Sequence, residues 1–148
     1  VIRNDRRVTL VINGLNSKKK RTFESKRLLN IVFRETALLS LFSNQKSLAE
    51  ANVWLGTKPT VKLIASKPFK KIISPFELNK TKIKLEWMDP ISAPITKGAV
   101  VGKIYINIPG QKSFQEDLIS SESIDKMSSL IRVKSILKFL LYGDIIAN

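Results

Sequence analysis

Serine and lysine form the only pairing of a nucleophile with a base that this sequence permits. The 148 residues contain neither histidine nor cysteine, which excludes thiolate chemistry, Ser-His and Cys-His pairs and nearly every zinc site built on nitrogen or sulfur. A working Ser-Lys site needs a desolvated lysine that can take a proton. Serine precedes lysine by three residues at four places, which are Ser17/Lys20, Ser43/Lys46, Ser123/Lys126 and Ser135/Lys138. We interpret these pairs as hydrated surface groups and expect no catalytic residue.

Neither a metal site nor a cofactor site is predicted. The twelve acidic residues are scattered, and no Asp-x-Asp-x-Asp-Gly loop is present. The run SKKKR, residues 17–21, is a candidate phosphate-contacting patch, but without a glycine-rich loop or interleaved aromatic residues a solvated loop is favoured. Trp54 and Trp87 are candidate stacking platforms for a ligand. Both lie in alternating apolar stretches, which favours packing in the core.

The net charge of +14 is unevenly distributed along the chain. Residues 1–35 hold ten Lys and Arg against three acids, residues 36–110 hold eleven against four, and residues 111–148 hold five of each. A basic body of this kind attracts any polyanion, including nucleic acid and anionic lipid. Lysine outnumbers arginine nineteen to seven, however, and bidentate arginine is the usual reader of bases and phosphates.

Residues 1–35 are predicted to form one strand and one helix. Residues 8–12 alternate as a short strand, and GLNS supplies a turn. A helix is expected from Thr22 with an apolar face made of Phe23, Leu28, Leu29, Val32 and Phe33. A lone strand and a lone helix cannot bury each other fully. We therefore expect this segment to be poorly packed or exposed in isolation.

Residues 36–110 are predicted to be a small antiparallel β-sandwich, so the fold class is mainly β. In TKIKLEW and VGKIYINIP, apolar residues alternate with polar ones, and Pro, Gly and Asp-Pro breaks separate many short runs of this kind. Candidate strands are ALLSLF, LAEANVWL, TVKLIAS, FKKIIS, TKIKLEW and VGKIYINIP.

The remaining residues are predicted to be a polar linker, 111–125, and an amphipathic helix with its tail, 126–148. Seventeen residues from Lys126 to Tyr142 reach about 25 Å as a helix, too short to cross a bilayer, and four cations interrupt them. A core helix is the alternative, but the linker and the terminal position favour a helix lying on a membrane surface. The predicted membrane-binding residues are Leu130, Arg132, Val133, Lys134, Ile136, Leu137, Lys138, Leu140 and Leu141.

Three elements of the sequence resemble the low-molecular-mass penicillin-binding proteins, which are serine D-alanyl-D-alanine carboxypeptidases. The first is ESKRLL, residues 24–29, which resembles the closing helix of that family's catalytic domain. The second is Trp54-Leu55-Gly56 at the end of a predicted strand, and the third is the Pro-Ile-x-Lys-Gly-x-x-Val-Gly element of residues 94–102. The resemblance covers essentially the whole chain. It implies the terminal strand and helix of a catalytic domain, a β-rich C-terminal domain and a membrane anchor.

The family's catalytic motifs do not occur in these residues. Neither Ser-x-Asn nor Lys-Thr-Gly is present, so the resemblance transfers no catalytic residue to this chain. We expect the C-terminal part of such an enzyme, produced by truncation or a split reading frame. The first ten residues lack the apolar core of a signal peptide, so no export signal is expected within this sequence.

Two functional hypotheses follow. The first is a non-catalytic stalk and membrane anchor, inactive alone, acting in peptidoglycan maturation at the periplasmic face of the bacterial inner membrane. Its partners would be the lipid surface and the catalytic domain, with peptidoglycan reached only through that domain. The alternative is a small basic nucleic-acid-binding β module, which salt-sensitive retention of DNA or RNA by residues 36–110 would support. A Ser-Lys hydrolase is a weaker third hypothesis, which acylation of the chain by a labelled β-lactam would support.

Overall fold

The computed structural model describes residues 1–4 and 6–128, which form two compact units. The helical unit comprises Val1–Leu41 and Phe69–Thr81, and the sheet unit comprises Phe42–Pro68 and the described chain from Lys82. The elements in chain order are β1 (Ile2–Arg3), β2 (Arg6–Arg7), α1 (Lys18–Glu35), β3 (Ala37–Leu41), β4 (Ala49–Trp54), β5 (Thr60–Ala65), β6 (Phe69–Ile73), α2 (Pro75–Lys80), β7 (Lys82–Trp87), β8 (Ile91–Ser92), β9 (Val100–Asn107) and β10 (Phe114–Ser120).

Helix α1 begins four residues earlier than predicted. Ser17 is its N-cap, with extended backbone and a hydroxyl that accepts a hydrogen bond from the Lys20 amide at 3.2 Å. The run of cations expected to form a solvated loop is therefore the first turn of the helix, although all of its residues are exposed. The cap explains the difference, because it satisfies an amide that the helix start would otherwise leave unpaired.

The predicted strand at residues 8–12 is wrong. These residues contain no regular secondary structure, and the short strands β1 and β2 pair instead, extended by two backbone bonds of 2.9 Å between Val1 and Val8. An isolated extended segment gains no ladder hydrogen bonds to offset its lost conformational entropy.

Loose packing of residues 1–35 agrees with the sequence-based expectation. Val11 is 87% exposed, Phe23 is 66% exposed, and no residue of α1 is buried. The buried residues of the helical unit, Leu39 and Ile73, lie in the antiparallel pair of β3 and β6. A surface pocket of about 520 Å³ lies in this unit between the first residues, α1, β3 and β6.

The sheet unit is built on one six-stranded sheet with the order β7-β9-β10-β5-β4-β8. All neighbouring strands are antiparallel except β4 and β8, which are parallel. One face of the sheet carries the core, where Leu63, Ile104, Ile106 and Leu118 have no exposed surface. Ile108, Ile124, Val61 and Ala51 are also buried.

The mainly β class is confirmed, and so are the six strands predicted within residues 36–110, as β3, β4, β5, β6, β7 and β9. The sandwich is not confirmed, since the described sheet unit has one large sheet. Of the elements within residues 36–110, β3, β6 and α2 lie in the helical unit and the others in the sheet unit.

The predicted linker at residues 111–125 is wrong. It contains β10, which lies in the interior of the sheet between β9 and β5 and buries Leu118 and Ser120 completely. Backbone pairing on both edges places β10 in the sheet despite its polar composition, and the outward side chains, such as Gln115 and Asp117, account for that polarity.

Candidate functional site

The described Ser-Lys pairs lie on the surface, as predicted. Ser17, Ser43 and Ser123 and their lysines are all exposed. Ser17 caps α1, and the Ser123 hydroxyl accepts a hydrogen bond from the Lys97 amide at 2.8 Å. Two of these hydroxyls therefore have structural roles. The pair Ser135/Lys138 lies outside the described residues.

The glycine elements of the sequence hold backbones close together. A Cβ on Gly102 would lie 2.2 Å from the carbonyl oxygen of Glu86 and 2.8 Å from the Cβ of Trp87, so only glycine fits between β9 and β7 here. A Cβ on Gly56 would lie 2.6 Å from Val53 and 2.9 Å from Ile124. Close packing requires glycine at both positions. The glycines shared with the family that the sequence resembles are therefore explained by the fold.

The segment of residues 93–99 is bound to residues 120–124 by backbone hydrogen bonds. Ile95 and Ile124 exchange two bonds of 2.8 Å, and the Gly98 amide donates to the Ser120 carbonyl at 2.9 Å. Because Ile95 and Ile124 are both buried, this pairing closes the core of the sheet unit. The Pro-Ile-x-Lys-Gly element thus holds the segment that leads toward the C-terminus.

The last described residues are fixed beside the end of β4, and we call this place the exit site. It consists of Trp54, Leu55, Gly56, Lys126 and Met127. The Met127 amide donates to the Leu55 carbonyl at 2.9 Å, and Gly56 forms a β-bridge with Lys126. The amide of Thr57 also donates to the carbonyl of Asp125 at 2.9 Å. The helix predicted from residue 126 therefore does not begin there, because Lys126 is engaged in this bridge.

A small surface pocket of about 160 Å³ adjoins the exit site, lined by Trp54, Leu55, Ser92, Ala93 and Lys126. Trp54 and Trp87 are both half-buried, so each packs partly against the sheet unit and neither is a fully buried core residue. The indole nitrogen of Trp87 is buried and has no hydrogen-bond partner among the described residues.

The outer face of the sheet carries ion pairs. Lys84 and Glu86 lie 2.5 Å apart on β7, and Lys103 and Asp117 lie 2.6 Å apart across β9 and β10. The hydrogen bond to Lys84 lowers the pKa of Glu86, and the hydrogen bonds to Glu86 and Asp117 raise the pKa values of Lys84 and Lys103. These groups are solvent-exposed and already paired, which is typical of a solvated face.

The predicted membrane-binding residues, Leu130 to Leu141, lie outside the described residues. Within residues 1–4 and 6–128, no helix combines the length and the apolar character needed to cross a bilayer. The same residues contain no cluster of three or more acidic side chains suited to a metal ion.

Comparison with known proteins places this architecture in a family. Residues 38–126 match the family described as penicillin-binding protein 5, C-terminal domain, and this range is more than half of the 148 residues. The chain belongs to this family. The match begins inside β3 and ends at Lys126 of the exit site, so it includes β10 and the segments that pair beside it.

Three curated relatives of this penicillin-binding protein 5 family member are D-alanyl-D-alanine carboxypeptidases. DacA of Haemophilus influenzae is 30% identical over 109 residues, which are 73% of this chain and 28% of DacA. DacC of Escherichia coli is 28% identical over 82% of this chain and 31% of its own length. DacF of Bacillus subtilis is 23% identical over 86% of this chain and 33% of its own length. The chain spans about a third of the length of these relatives.

Solved structures agree with this assignment. The chain is similar to penicillin-binding protein 5 of Haemophilus influenzae with a TM-score of 0.56 and 27% identity, over 74% of this chain and 32% of that one. A peptidoglycan synthesis regulatory factor of Streptococcus pneumoniae has the same fold at a TM-score of 0.51 and 16% identity, over 76% and 34% of the two chains.

The sequence motifs identified the glycines of the site, but they did not predict the backbone pairing at the exit site. The pairing of Leu55 with Met127 joins residues that are far apart in the sequence, and neither carries a distinctive motif. A signal was available at Trp54-Leu55-Gly56, where a strand ends at a glycine that the structure shows to be packed against Ile124.

Proposed function

We propose that the chain is the non-catalytic stalk and membrane anchor of a D-alanyl-D-alanine carboxypeptidase that acts in peptidoglycan maturation. The sheet unit is the stalk, and the segment from Leu130 onward supplies an amphipathic helix that lies on the periplasmic face of the inner membrane. The partners are the lipid surface and a catalytic domain, through which alone peptidoglycan is reached. Family membership supports the carboxypeptidase context.

The observation that carries this proposal is the exit site. Backbone bonds at Leu55 and Thr57 fix residues 125–127 to the end of β4, immediately before the apolar and basic stretch that starts at Leu130. A rigid departure point transmits the position of a surface-bound helix to the sheet unit. A flexible linker in its place would let the two move independently.

Flotation of the full chain with phosphatidylglycerol vesicles tests the proposal. As a helix at 100° per residue, Ile136 lies within the apolar arc and Ile131 lies outside it. Ile136→Asp should therefore lower vesicle binding about ten-fold or more, since it places a charge on the buried face. Ile131→Asp introduces the same charge into the same stretch and should have a much smaller effect.

Equal losses for the two variants would contradict an amphipathic helix in this orientation. Absence of vesicle binding by the unaltered chain would contradict the anchor as a whole. Circular dichroism of each variant without vesicles should match that of the unaltered chain, which would exclude a loss of fold as the cause of weaker binding.

A further inference from the structure

Helix α1 presents one continuous basic face. At 100° per residue, five cations and one aromatic residue fall within an arc of about 120°: Lys19, Lys20, Phe23, Lys26, Arg27 and Arg34. We call them the basic helix face. All six are exposed, and neither of the helix's two glutamates lies within this arc. The opposite side of the helix contains the half-buried Leu28, Leu29 and Val32, so the basic helix face points to solvent.

Part of this charge is not neutralised within the described chain. Arg27 pairs with Glu24 and Arg34 with Glu35, both at 2.8 Å. No carboxylate of the described residues lies within ion-pair distance of Lys19, Lys20 or Lys26. Lys19 and Lys20 in the first turn and Lys26 about two turns later thus remain available to an external anion.

The position of these cations is unfavourable for the helix itself. Lys18–Arg21 occupy the first turn, which contains no acidic residue, and the positive end of the helix dipole repels them. A local arrangement that opposes helix stability often marks a functional surface. An anionic partner would relieve the repulsion.

Phe23 identifies the kind of anionic partner. It lies in the centre of the basic helix face and is 66% exposed. The helix is convex and about 27 Å long, so it can lie flat on a planar surface with its cations at headgroup level and Phe23 inserted between them. Single-stranded nucleic acid is normally held in a groove by several stacking aromatic residues, and this face offers one aromatic on a convex surface.

We propose that the basic helix face of α1 binds the headgroup region of an anionic lipid bilayer. This contact is separate from the C-terminal segment and lies in a different unit of the structure. It would be a second membrane attachment, electrostatic in character and weakened by salt.

The test compares two triple variants of the full chain on mixed phosphatidylglycerol and phosphatidylcholine vesicles. Lys19→Gln, Lys20→Gln and Lys26→Gln together should lower partitioning by about ten- to a hundred-fold, because each cation near an anionic surface contributes several-fold. Lys46→Gln, Lys97→Gln and Lys112→Gln remove the same charge from exposed positions of the sheet unit and should lower it much less.

A second pair of variants tests the aromatic contribution. Phe23→Ala should lower partitioning several-fold, whereas Phe76→Ala, which removes a phenylalanine that is 61% exposed on α2, should not. Circular dichroism at matched concentrations establishes that α1 is retained in each variant. If α1 unfolds in the triple variant, the comparison of Phe23→Ala with Phe76→Ala decides whether the basic helix face binds the vesicles.

Repeating both comparisons in the Ile136→Asp background separates this proposal from the proposed function. The loss caused by the α1 variants should persist there, since the two contacts are independent. Equal effects of the two lysine triples would overturn the proposal, because bulk charge would then explain binding. So would an unchanged vesicle affinity accompanied by lost affinity for a single-stranded oligonucleotide.

Discussion

At the scale of single residues, the absence of a side chain at glycine decides where two neighbouring strands can approach each other closely. Gly102 pairs with Trp87 on one side and Leu118 on the other, within a strand that buries Ile104 and Ile106. The sequence identifies this glycine as part of a motif but does not reveal that the Glu86 carbonyl occupies the space of its missing side chain. That contact depends on the pairing of β7 with β9.

Gly102→Ala should destabilise the sheet unit by about 3 kcal/mol, because the new methyl group must displace the backbone of β7. Urea denaturation followed by tryptophan fluorescence measures this change. Gly110→Ala is the matched control: it has open space around it but a φ of +73°, so a loss of about 1 kcal/mol is expected. Equal losses at the two positions would show that steric contact with β7 is not the cause.

The ion pair of Lys84 with Glu86 has a predictable pH dependence. The lowered pKa of Glu86 means that its contribution to stability is present above its unfolded pKa of about 4.3 and is lost as the pH falls through the folded value. The raised pKa of Lys84 means that its contribution is present below about 10.4 and is lost as the pH rises through the folded value.

Carbon NMR titration should therefore give Glu86 a pKa lower than that of an ordinary exposed glutamate, because Lys84 donates a hydrogen bond to its carboxylate. Lys84→Gln should raise the pKa of Glu86, since it removes the hydrogen bond that lowers it. Lys67→Gln removes the partner of Glu116 instead and should leave the pKa of Glu86 unchanged. A response of Glu86 to both variants would point to general charge effects.

At the scale of elements, alternation of apolar and polar residues predicts the strands well. Six strands follow from it because, in each strand, the side chains of one face are less exposed than those of the other. The same criterion misses β10, because its sequence is largely polar. Backbone hydrogen bonds to the two neighbouring strands, β9 and β5, hold it in the sheet. It also misses α2, although Ser74 and Glu77 form a capping box with Pro75 at the first helical position.

The elements should also differ in their opening free energies. Residues 9–12 have no strand partner among the described residues, whereas β9 and β10 are paired on both edges within the sheet. Amide hydrogen exchange should therefore be fast at Thr9 to Ile12 and slow at Ile104, Ile106 and Leu118. Strong protection across residues 9–12 would contradict the loose packing of this segment.

At the scale of the whole molecule, the two units differ in charge. The helical unit carries thirteen Lys and Arg against four acids, and the described part of the sheet unit carries ten against seven. The sequence places the excess charge in its first two segments. It does not predict the two units, because β3, β6 and α2 join the N-terminal residues through contacts distant in sequence.

The central claim, a membrane anchor formed by the C-terminal segment, is tested most directly by measuring the depth of single residues. The chain has no cysteine, so single-cysteine variants can carry an environment-sensitive fluorophore at a chosen position. Labels at residues 133, 137 and 140 should shift to shorter wavelengths when anionic vesicles are added, and labels at 131, 134 and 138 should shift much less. Comparable shifts at all six positions, or at none, would contradict a helix that lies on the membrane surface.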